Sequence, residues 1–420
     1  MGPSNFPSHW RVTKFSEVAH YALGRTPPRN VTRYWQAGQY PWVSIADMQE
    51  YGLICRTKEA VSSDAYQEIF RGRLVPAGTL LMSFKLTIGR VSILGIHAFH
   101  NEAIISIYPK SEVDRDFLMF YLPTINFSDH QDRAVKGNTL NKSKINELPI
   151  PLPPLSEQRA IARALRTVQE AKEARQRELE LERERKAALM QHLFTHGTRG
   201  EPLKETEIGL MPESWRVVRL GELFDVQQGK ALSVKSRQGS NPKPFLRTAN
   251  VLWGRLDLST LDQMDFTPDE CNKLELRPGD LLVCEGGEIG RTAMWNGELP
   301  DCYYQNHLHR LRRKQDTAVV PEFFMYWMQA AMLIFKHYEG YGNKTTIPNL
   351  SGARLKAFLL PVPPIAEQEE IAEVLQQCDA KQDALQNEIL LLEELFKTML
   401  EELMTGRLSA LPLVEGETPP

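Results

Sequence analysis

Leu148-Pro149-Ile150-Pro151-Leu152-Pro153-Pro154-Leu155-Ser156-Glu157-Gln158, followed by Ile161-Ala162, is written a second time 210 positions later. The second copy is Phe358-Leu359-Leu360-Pro361-Val362-Pro363-Pro364-Ile365-Ala366-Glu367-Gln368, followed by Ile371-Ala372. Each copy opens a long charged stretch. From Ser156 to about Phe194 there is no Gly or Pro, and Glu, Arg, Ala and Leu dominate, all strong helix formers. Pro153-Pro154 blocks extension backwards, Ser156 is placed to cap the start, and His196-Gly197 supplies the stop. Ala366 to about Thr405 repeats the design and ends at Gly406. At 1.5 Å per residue each helix spans about 55–60 Å, more than one small domain can bury, so each must lie partly along another helix.

The second helix shows the seam. Ile371, Cys378, Leu385, Leu392 and Met399 recur every seven residues, and Leu375, Ile389, Phe396 and Leu403 widen the stripe. The first helix keeps the ends, with Ile161, Leu165 and Val168 early and Leu189 and Leu193 late. Its middle, Arg175 to Lys186, is nearly all charged, and Arg175 and Glu182 stand where the seam would run. An antiparallel pair follows, because a globular segment separates the two helices. The charged middle reads as a solvated face.

The duplication extends into the segments before the helices. Trp10-Arg11-Val12 recurs as Trp215-Arg216-Val217, with Gly24 and Gly229 each 14 residues on from the tryptophan. Tyr40-Pro41-Trp42-Val43 matches Lys243-Pro244-Phe245-Leu246, and Gly78-Thr79-Leu80-Leu81 matches Gly279-Asp280-Leu281-Leu282. Ile88-Gly89-Arg90 matches Ile289-Gly290-Arg291, and Gly137-Asn138 matches Gly342-Asn343. Such units are duplicated domains rather than short solenoid repeats. Apolar runs such as Leu80–Phe84, Val91–Leu94, Ile104–Tyr108 and Leu281–Cys284 read as strands, and residues 117–122 and 323–328 as buried helices. The expected fold is α+β: two mixed α/β domains separated by two long helices in an antiparallel coiled coil, with internal pseudo-two-fold symmetry. The expected partition is a first domain over 1–150, a spacer helix over 151–199, a second domain over 200–360, a second spacer helix over 361–407, and a disordered tail over 408–420.

At 420 residues two to three domains are expected. A net charge of −3 argues against indiscriminate polyanion binding by the whole surface but allows local basic faces. Five cysteines form no CxxC pair, which fits a reducing compartment. No signal peptide and no membrane span is expected. Residues 1–150 carry 17 Lys and Arg against 13 Asp and Glu, and residues 216–247 carry seven against two. Catalytic signatures are missing. The glycines of Gly340-Tyr341-Gly342-Asn343-Lys344-Thr345 and Gly286-Gly287-Glu288-Ile289-Gly290 are wrongly spaced for nucleotide loops, no Asn/Asp-Pro-Pro-aromatic tetrapeptide is present, and His307 and His309 lack companion ligands for a metal.

The doubled Pro-Pro-x-x-Glu-Gln element, each copy leading a long helix and following a diverged domain, resembles the specificity subunit of type I restriction-modification enzymes, from about Trp10 to about Ser409. The resemblance implies a host-defence complex in which each domain reads one half of a split site on double-stranded DNA. The coiled coil would set the gap, and the conserved regions would dock two methyltransferase subunits, joined by nuclease-translocase subunits. The chain itself would bind no cofactor and catalyse nothing. S-adenosylmethionine, ATP and Mg would sit on its partners, and the complex would work at the nucleoid in the cytoplasm of a bacterium or archaeon. The other classes open to the sequence are a self-contained DNA-modifying enzyme and a coiled-coil scaffold without a nucleic-acid role. Phosphate contacts need cations, and base reading needs Arg, Lys, Asn and Gln on positioned loops. The candidates are Arg25, Arg29, Arg33, Lys85, Arg90, Lys136 and Asn138 in the first domain, and Lys230, Lys235, Arg237, Arg247, Arg291, His307, Asn343 and Lys344 in the second. Pro153, Pro154, Glu157, Gln158, Ile161, Pro363, Pro364, Glu367, Gln368 and Ile371 are the candidates for partner docking and spacing.

Overall fold

The computed structural model describes residues 6–127, 132–134, 137–233, 239, 241–337 and 349–415. The chain divides into two compact units, Met1–Arg175 with Glu388–Pro420, and Gln176–Asn387. Each long helix, Leu155–His196 and Ile365–Met404, is therefore shared between them. The expected partition treated the helices as segments of their own; each half-helix instead belongs to the unit on whose domain it packs.

The proline-rich half of each repeated stretch is a strand. Pro149–Leu152 pairs antiparallel with Arg11–Lys14, and Leu359–Val362 with Arg216–Arg219. Proline cannot donate to a ladder, so it tolerates only an unpaired edge. Leu148 and Phe358 turn their carbonyls toward the partner strand, to Phe15 N and Leu220 N. Alternation then points residues 149 and 151, and 359 and 361, outward. The outward carbonyls are taken by side chains: Tyr121 donates to Pro149 O at 3.0 Å and Trp327 Nε1 to Leu359 O at 3.2 Å.

Gln158 and Gln368 explain why the stretch is repeated so closely. Both are fully buried. Gln158 Oε1 accepts from Asp114 N at 2.8 Å, and its Nε2 donates to Glu112 O and Pro153 O. Gln368 Oε1 accepts from Val320 N at 2.9 Å, and its Nε2 donates to Ala318 O and Pro363 O. Asp114 and Val320 are the residues that precede the aromatic helices Arg115–Tyr121 and Pro321–Leu333. One side chain thus locks the start of the long helix to the start of the helix that fills the domain core. The adjacent carboxylates are equally internal. Glu367 accepts from Trp215 Nε1 at 3.0 Å and Thr198 N at 2.8 Å, and Glu157 bonds His9 Nε2 at 2.9 Å.

The helix starts at Leu155, with Pro154 O accepting from Gln158 N, so Ser156 lies inside the helix and does not cap it. The stops are as read: Gly197 and Gly406 have φ of 63° and 69°. A Cβ on Gly197 would strike the Glu367 carboxylate, and one on Gly406 would strike Pro7.

Within the first unit the helix pair is joined by Lys172–Glu393 at 3.7 Å and Arg175–Glu388 at 2.8 Å. Within the second it is joined by Lys381–Glu178 at 3.0 Å and the Lys186–Asp379 pair. Partner numbers fall as residue numbers rise, so the pairing is antiparallel. The charged middle is less solvated than expected: Lys186 is buried, and Glu182 is only 13% exposed. The segment read as a disordered tail includes buried Ala410 and a short helix, Leu411–Glu415, with Val414 against the first core.

Besides its two-stranded pairs, each domain carries one larger and one three-stranded sheet. In the first, a five-stranded sheet runs in the order Ala19–Leu23, Ile104–Pro109, Leu80–Ser83, Val91–Leu94, Gly52–Ile54. A three-stranded sheet runs Glu59–Val61, Tyr40–Val43, Phe99–His100. The second domain repeats this with four strands, Phe224–Gln228, Leu308–Arg313, Asp280–Cys284, Thr292–Trp295, and a small sheet of Asp262–Asp265, Pro242–Leu246, Tyr303–Tyr304. Phe117, Leu118 and Phe120 fill the first core with Ile161 and Leu165, and Phe323, Phe324 and Trp327 the second with Leu193 and Ile371. No described helix is long and apolar enough to cross a membrane.

His100 makes the first domain acid-sensitive. Its ring is 3% exposed and bonds only the backbone, at Asn101 O, and burial pushes its pKa down to about 4. The unfolded chain takes up a proton near pH 6.5, so stability is complete above that value and is lost as pH falls toward about 4. Urea unfolding should show the first domain losing about 2–3 kcal/mol between pH 7 and pH 4.5. His100→Phe should flatten that slope; a slope unchanged in the variant would assign it to other groups.

Candidate nucleic-acid interface

Register decides which loops meet. Leu23 faces Ile105, Ser83 faces Ile104, and Met82 faces Val91. The loops that follow strand 19–23 and strand 80–83, and those that precede strands 91–94 and 104–109, therefore all emerge at one edge of the large sheet. Leu140 joins them, donating its N–H to Phe84 O at 3.1 Å. In the second domain Gln228 faces His309, Cys284 faces Leu308, and Val283 faces Thr292, so residues 229–233, 285–291 and 305–307 share the matching edge. Leu350 donates there to Glu285 O at 2.9 Å.

Arg25, Lys85 and Arg90 come to the first edge, and Lys230, Arg291 and His307 to the second. Their side chains divide into exposed and internal. Arg25 is exposed, with Nη1 donating to Ile69 O at 2.8 Å. Lys85 is half-buried, its ammonium 5.3 Å from the Phe84 ring centroid, and exposed Leu86 beside it holds a φ of 66°. His307 is exposed.

Arg90 and Arg291 are half-buried. Arg90 Nη1 reaches Ile45 O and Met48 O, both at 3.4 Å, and Arg291 Nη2 donates to Thr248 O at 3.0 Å. Each ties its edge loop to the turn that follows the small sheet's central strand. Lys230 is likewise committed, to Glu270 and Asp265 O. Arg247 pairs with Asp262 at 3.0 Å.

Arg29 and Arg33 lie further along the loop from the first edge, on the small sheet. Arg29 stacks 3.8 Å from the Trp35 ring and 5.0 Å from Trp42, and its Nη2 donates to Glu59 at 2.9 Å. That hydrogen bond raises the arginine pKa and lowers that of Glu59. Arg33 pairs with Glu68 at 2.7 Å and Asp64 at 3.6 Å. All are well exposed, so the pairs add little stability, and a phosphate can replace the carboxylate. Lys136, Lys235, Arg237, Asn343 and Lys344 lie outside the described residues, as does the Asn138 side chain; the Asn138 backbone is in strand Gly137–Thr139.

The candidates for partner docking need a correction. Glu157, Gln158, Ile161, Glu367, Gln368 and Ile371 are at most 2% exposed, and Pro153 and Pro363 are buried. They hold their own unit together and have no surface to offer; Pro154 and Pro364 remain exposed. Sequence reading marked Arg29 but not Trp35, the ring on which it stacks. It also missed the polar groups Gln228 and Glu285 on the second edge, which carry no positive charge to draw attention.

No group of His, Cys, Asp and Glu among the described residues could hold a metal ion. The family described as the type I restriction modification DNA specificity domain matches the chain twice, over residues 7–183 and 212–394. The MjaIX type I restriction enzyme specificity subunit of Methanocaldococcus jannaschii is 25% identical over 96% of this chain and 94% of its own length. The EcoKI specificity subunit of Escherichia coli is 23% identical over 65% of this chain and 60% of its own. The crystal structure of the type I restriction-modification S subunit from M. genitalium superposes with a TM-score of 0.57 at 15% identity, covering 96% of this chain and 97% of that one. A chain from a study of complex assembly and conformational transition in the type I system superposes at 0.59 and 19%, covering 97% of this chain and all of that one. At these identities the structural likeness is one of fold. With two matches that together span most of its length, the chain belongs to the type I restriction modification DNA specificity family and carries that family's domain twice.

Proposed function

We propose that the chain is the sequence-reading subunit of a type I restriction-modification complex, non-catalytic in itself, with each domain reading one half of a bipartite site on double-stranded DNA through the loop edge of its large sheet. The observation that carries this is the paired edge. The same loops emerge at the same register in both domains, on a frame held by the same Gln158 and Gln368 clamps, while the residues they present differ. Constant framing with divergent edge chemistry is what reading two different half-sites requires. Arg25, Arg29, Arg33, Lys85, Arg247 and His307 are the more exposed of the described candidates for DNA contact and Arg90, Lys230 and Arg291 the more enclosed, with Lys136, Asn138, Lys235, Arg237, Asn343 and Lys344 kept as readers from the sequence. The helices set the gap between half-sites, and two methyltransferase subunits dock on the repeated framework. Nuclease-translocase subunits complete the complex. Those partners hold S-adenosylmethionine, ATP and Mg, and the assembly acts on chromosomal DNA in the cytoplasm of a bacterium or archaeon.

The test is a pair of rebuilt chains, each assembled with the methyltransferase subunits and challenged with duplexes of randomised sequence. Exchanging residues 1–150 for another reader domain should alter one half-site. Inserting one heptad into each helix, at matched positions, should alter the gap and leave both half-sites intact. A domain exchange that changes both halves, or an insertion that leaves the gap as it was, would contradict the reading.

A further inference from the structure

The second edge holds a polar cluster that the fold does not need. Gln228 ends one strand, Glu285 follows another, and His309, on a third, is the register partner of Gln228. The repeat places Leu23, Phe84 and Ile105 at these positions: Leu23 faces Ile105 as Gln228 faces His309, and Phe84 O receives Leu140 N as Glu285 O receives Leu350 N. At the two enclosed positions the apolar pair Phe84 and Ile105 therefore satisfies this packing, while Leu23, like Gln228, is exposed. The buried histidine is costly by comparison. His309 is 1% exposed, neither ring nitrogen has a well-formed hydrogen bond, and its nearest polar neighbours are Glu285 at 3.6 Å and the Leu350 backbone. A costly departure from a packing already solved once in the same chain marks a functional position.

The chemistry of the cluster is one-sided. Gln228 Nε2 lies 3.0 Å from Glu285 Oε2 and 2.9 Å from Asn306 O. Both neighbours only accept, so the amide must turn its NH2 inward, and its oxygen is left as an acceptor on an exposed side chain. Glu285 is an acceptor at both oxygens, and its backbone is fixed on both sides, by His307 O and Leu350 N. In the major groove, only adenine N6 and cytosine N4 offer a donor. A guanine O6 or thymine O4 would bring acceptor against acceptor beside a carboxylate, which rejects keto bases actively.

We propose that Gln228 and Glu285 form an acceptor-only reading head for one exocyclic amino group, adenine N6 or cytosine N4, in the half-site read by the second domain. This rests on the DNA-reading role above. The experiment uses the full chain assembled with its methyltransferase subunits, bound to duplexes in which the second half-site is randomised. Every base pair carries one amino base, so the readout is the position of that half-site at which a variant loses the wild-type preference, and the amino base of that pair identifies the contact. Glu285→Gln supplies an NH2 donor, and should cut the amino-over-keto preference at that position about 10-fold or more, within the range of one good base contact. The first half-site should be unchanged. Gln228→Met, at an exposed position that cannot jeopardise folding, should weaken the same preference and decides the matter if Glu285→Gln does not fold. The proposal is overturned if the variant that folds keeps the wild-type preference at every position of the second half-site. A wild-type complex without preference in either half-site would overturn the reading role as well, so the two failures are distinguishable.

Discussion

Gln368→Leu will destabilise the unit formed by Gln176–Asn387 by about 3–4 kcal/mol, seen as a lower urea midpoint for one of two unfolding transitions. Leucine nearly fills the glutamine's volume, so little of the cost is a cavity. It arises because Val320 N–H and the carbonyls of Ala318 and Pro363 lose their partner, the Pro363 contact fully buried and the other two part-buried. Each stranded buried group costs about 1–3 kcal/mol, more for a donor than for a carbonyl. Gln158→Leu should do the same to the other transition, through Asp114 N–H, Glu112 O and Pro153 O. A loss under about 1 kcal/mol in either variant would mean that these hydrogen bonds do not lock the helix to its domain.

The second large effect concerns a point where the two copies solve one problem differently. In the first unit the helix pair meets its domain through an aromatic cluster: Phe396 lies 5.3 Å from Tyr51 and 6.0 Å from Phe120, and Gln169 Nε2 donates to Tyr51 O. The corresponding residues of the second unit are Lys186, Tyr326 and Asp379. The carboxylate accepts from the ammonium and, at 2.7 Å, from the Tyr326 hydroxyl; the ammonium also sits 4.9 Å over the Tyr326 ring. Burial, reinforced by Asp379, pushes the phenol pKa up, so it stays a donor.

Asp379→Ala strands a lysine that is 9% exposed and should cost about 2–3 kcal/mol, below the range for a fully enclosed pair because the carboxylate is about one-third exposed. Lys186→Met combined with Asp379→Gln should recover most of that loss, since the first copy holds Phe396 and Gln169 at these positions. Denaturant midpoints of the single and double variants measure the coupling. A double variant as unstable as Asp379→Ala would show that the ion pair is required rather than exchangeable.

Much of this architecture is legible in the chain. The helices, their ends at Gly197 and Gly406, and the antiparallel pairing follow from composition, glycine stops and the heptad stripe, all of which are local or periodic properties. The duplication follows from ordered matches such as Ile88-Gly89-Arg90 and Ile289-Gly290-Arg291. The candidate interface was less legible. Charge alone marked Arg25 and Arg90 equally, but one is exposed and the other is hydrogen-bonded to Ile45 O and Met48 O. The Glu-Gln pair looked like a docking signal because it recurs, whereas its recurrence reflects an identical internal clamp.

The division has a physical cause. Helical periodicity, proline and glycine punctuation and repetition are written in neighbouring residues, so the two-domain plan with paired spacer helices could be read from the order of amino acids. Whether a polar side chain faces water or a carbonyl depends on strand register between segments dozens to more than a hundred residues apart. That register brings Gln228, Glu285 and His309 to one edge, ties Arg291 to Thr248 O, and turns Gln158 and Gln368 inward.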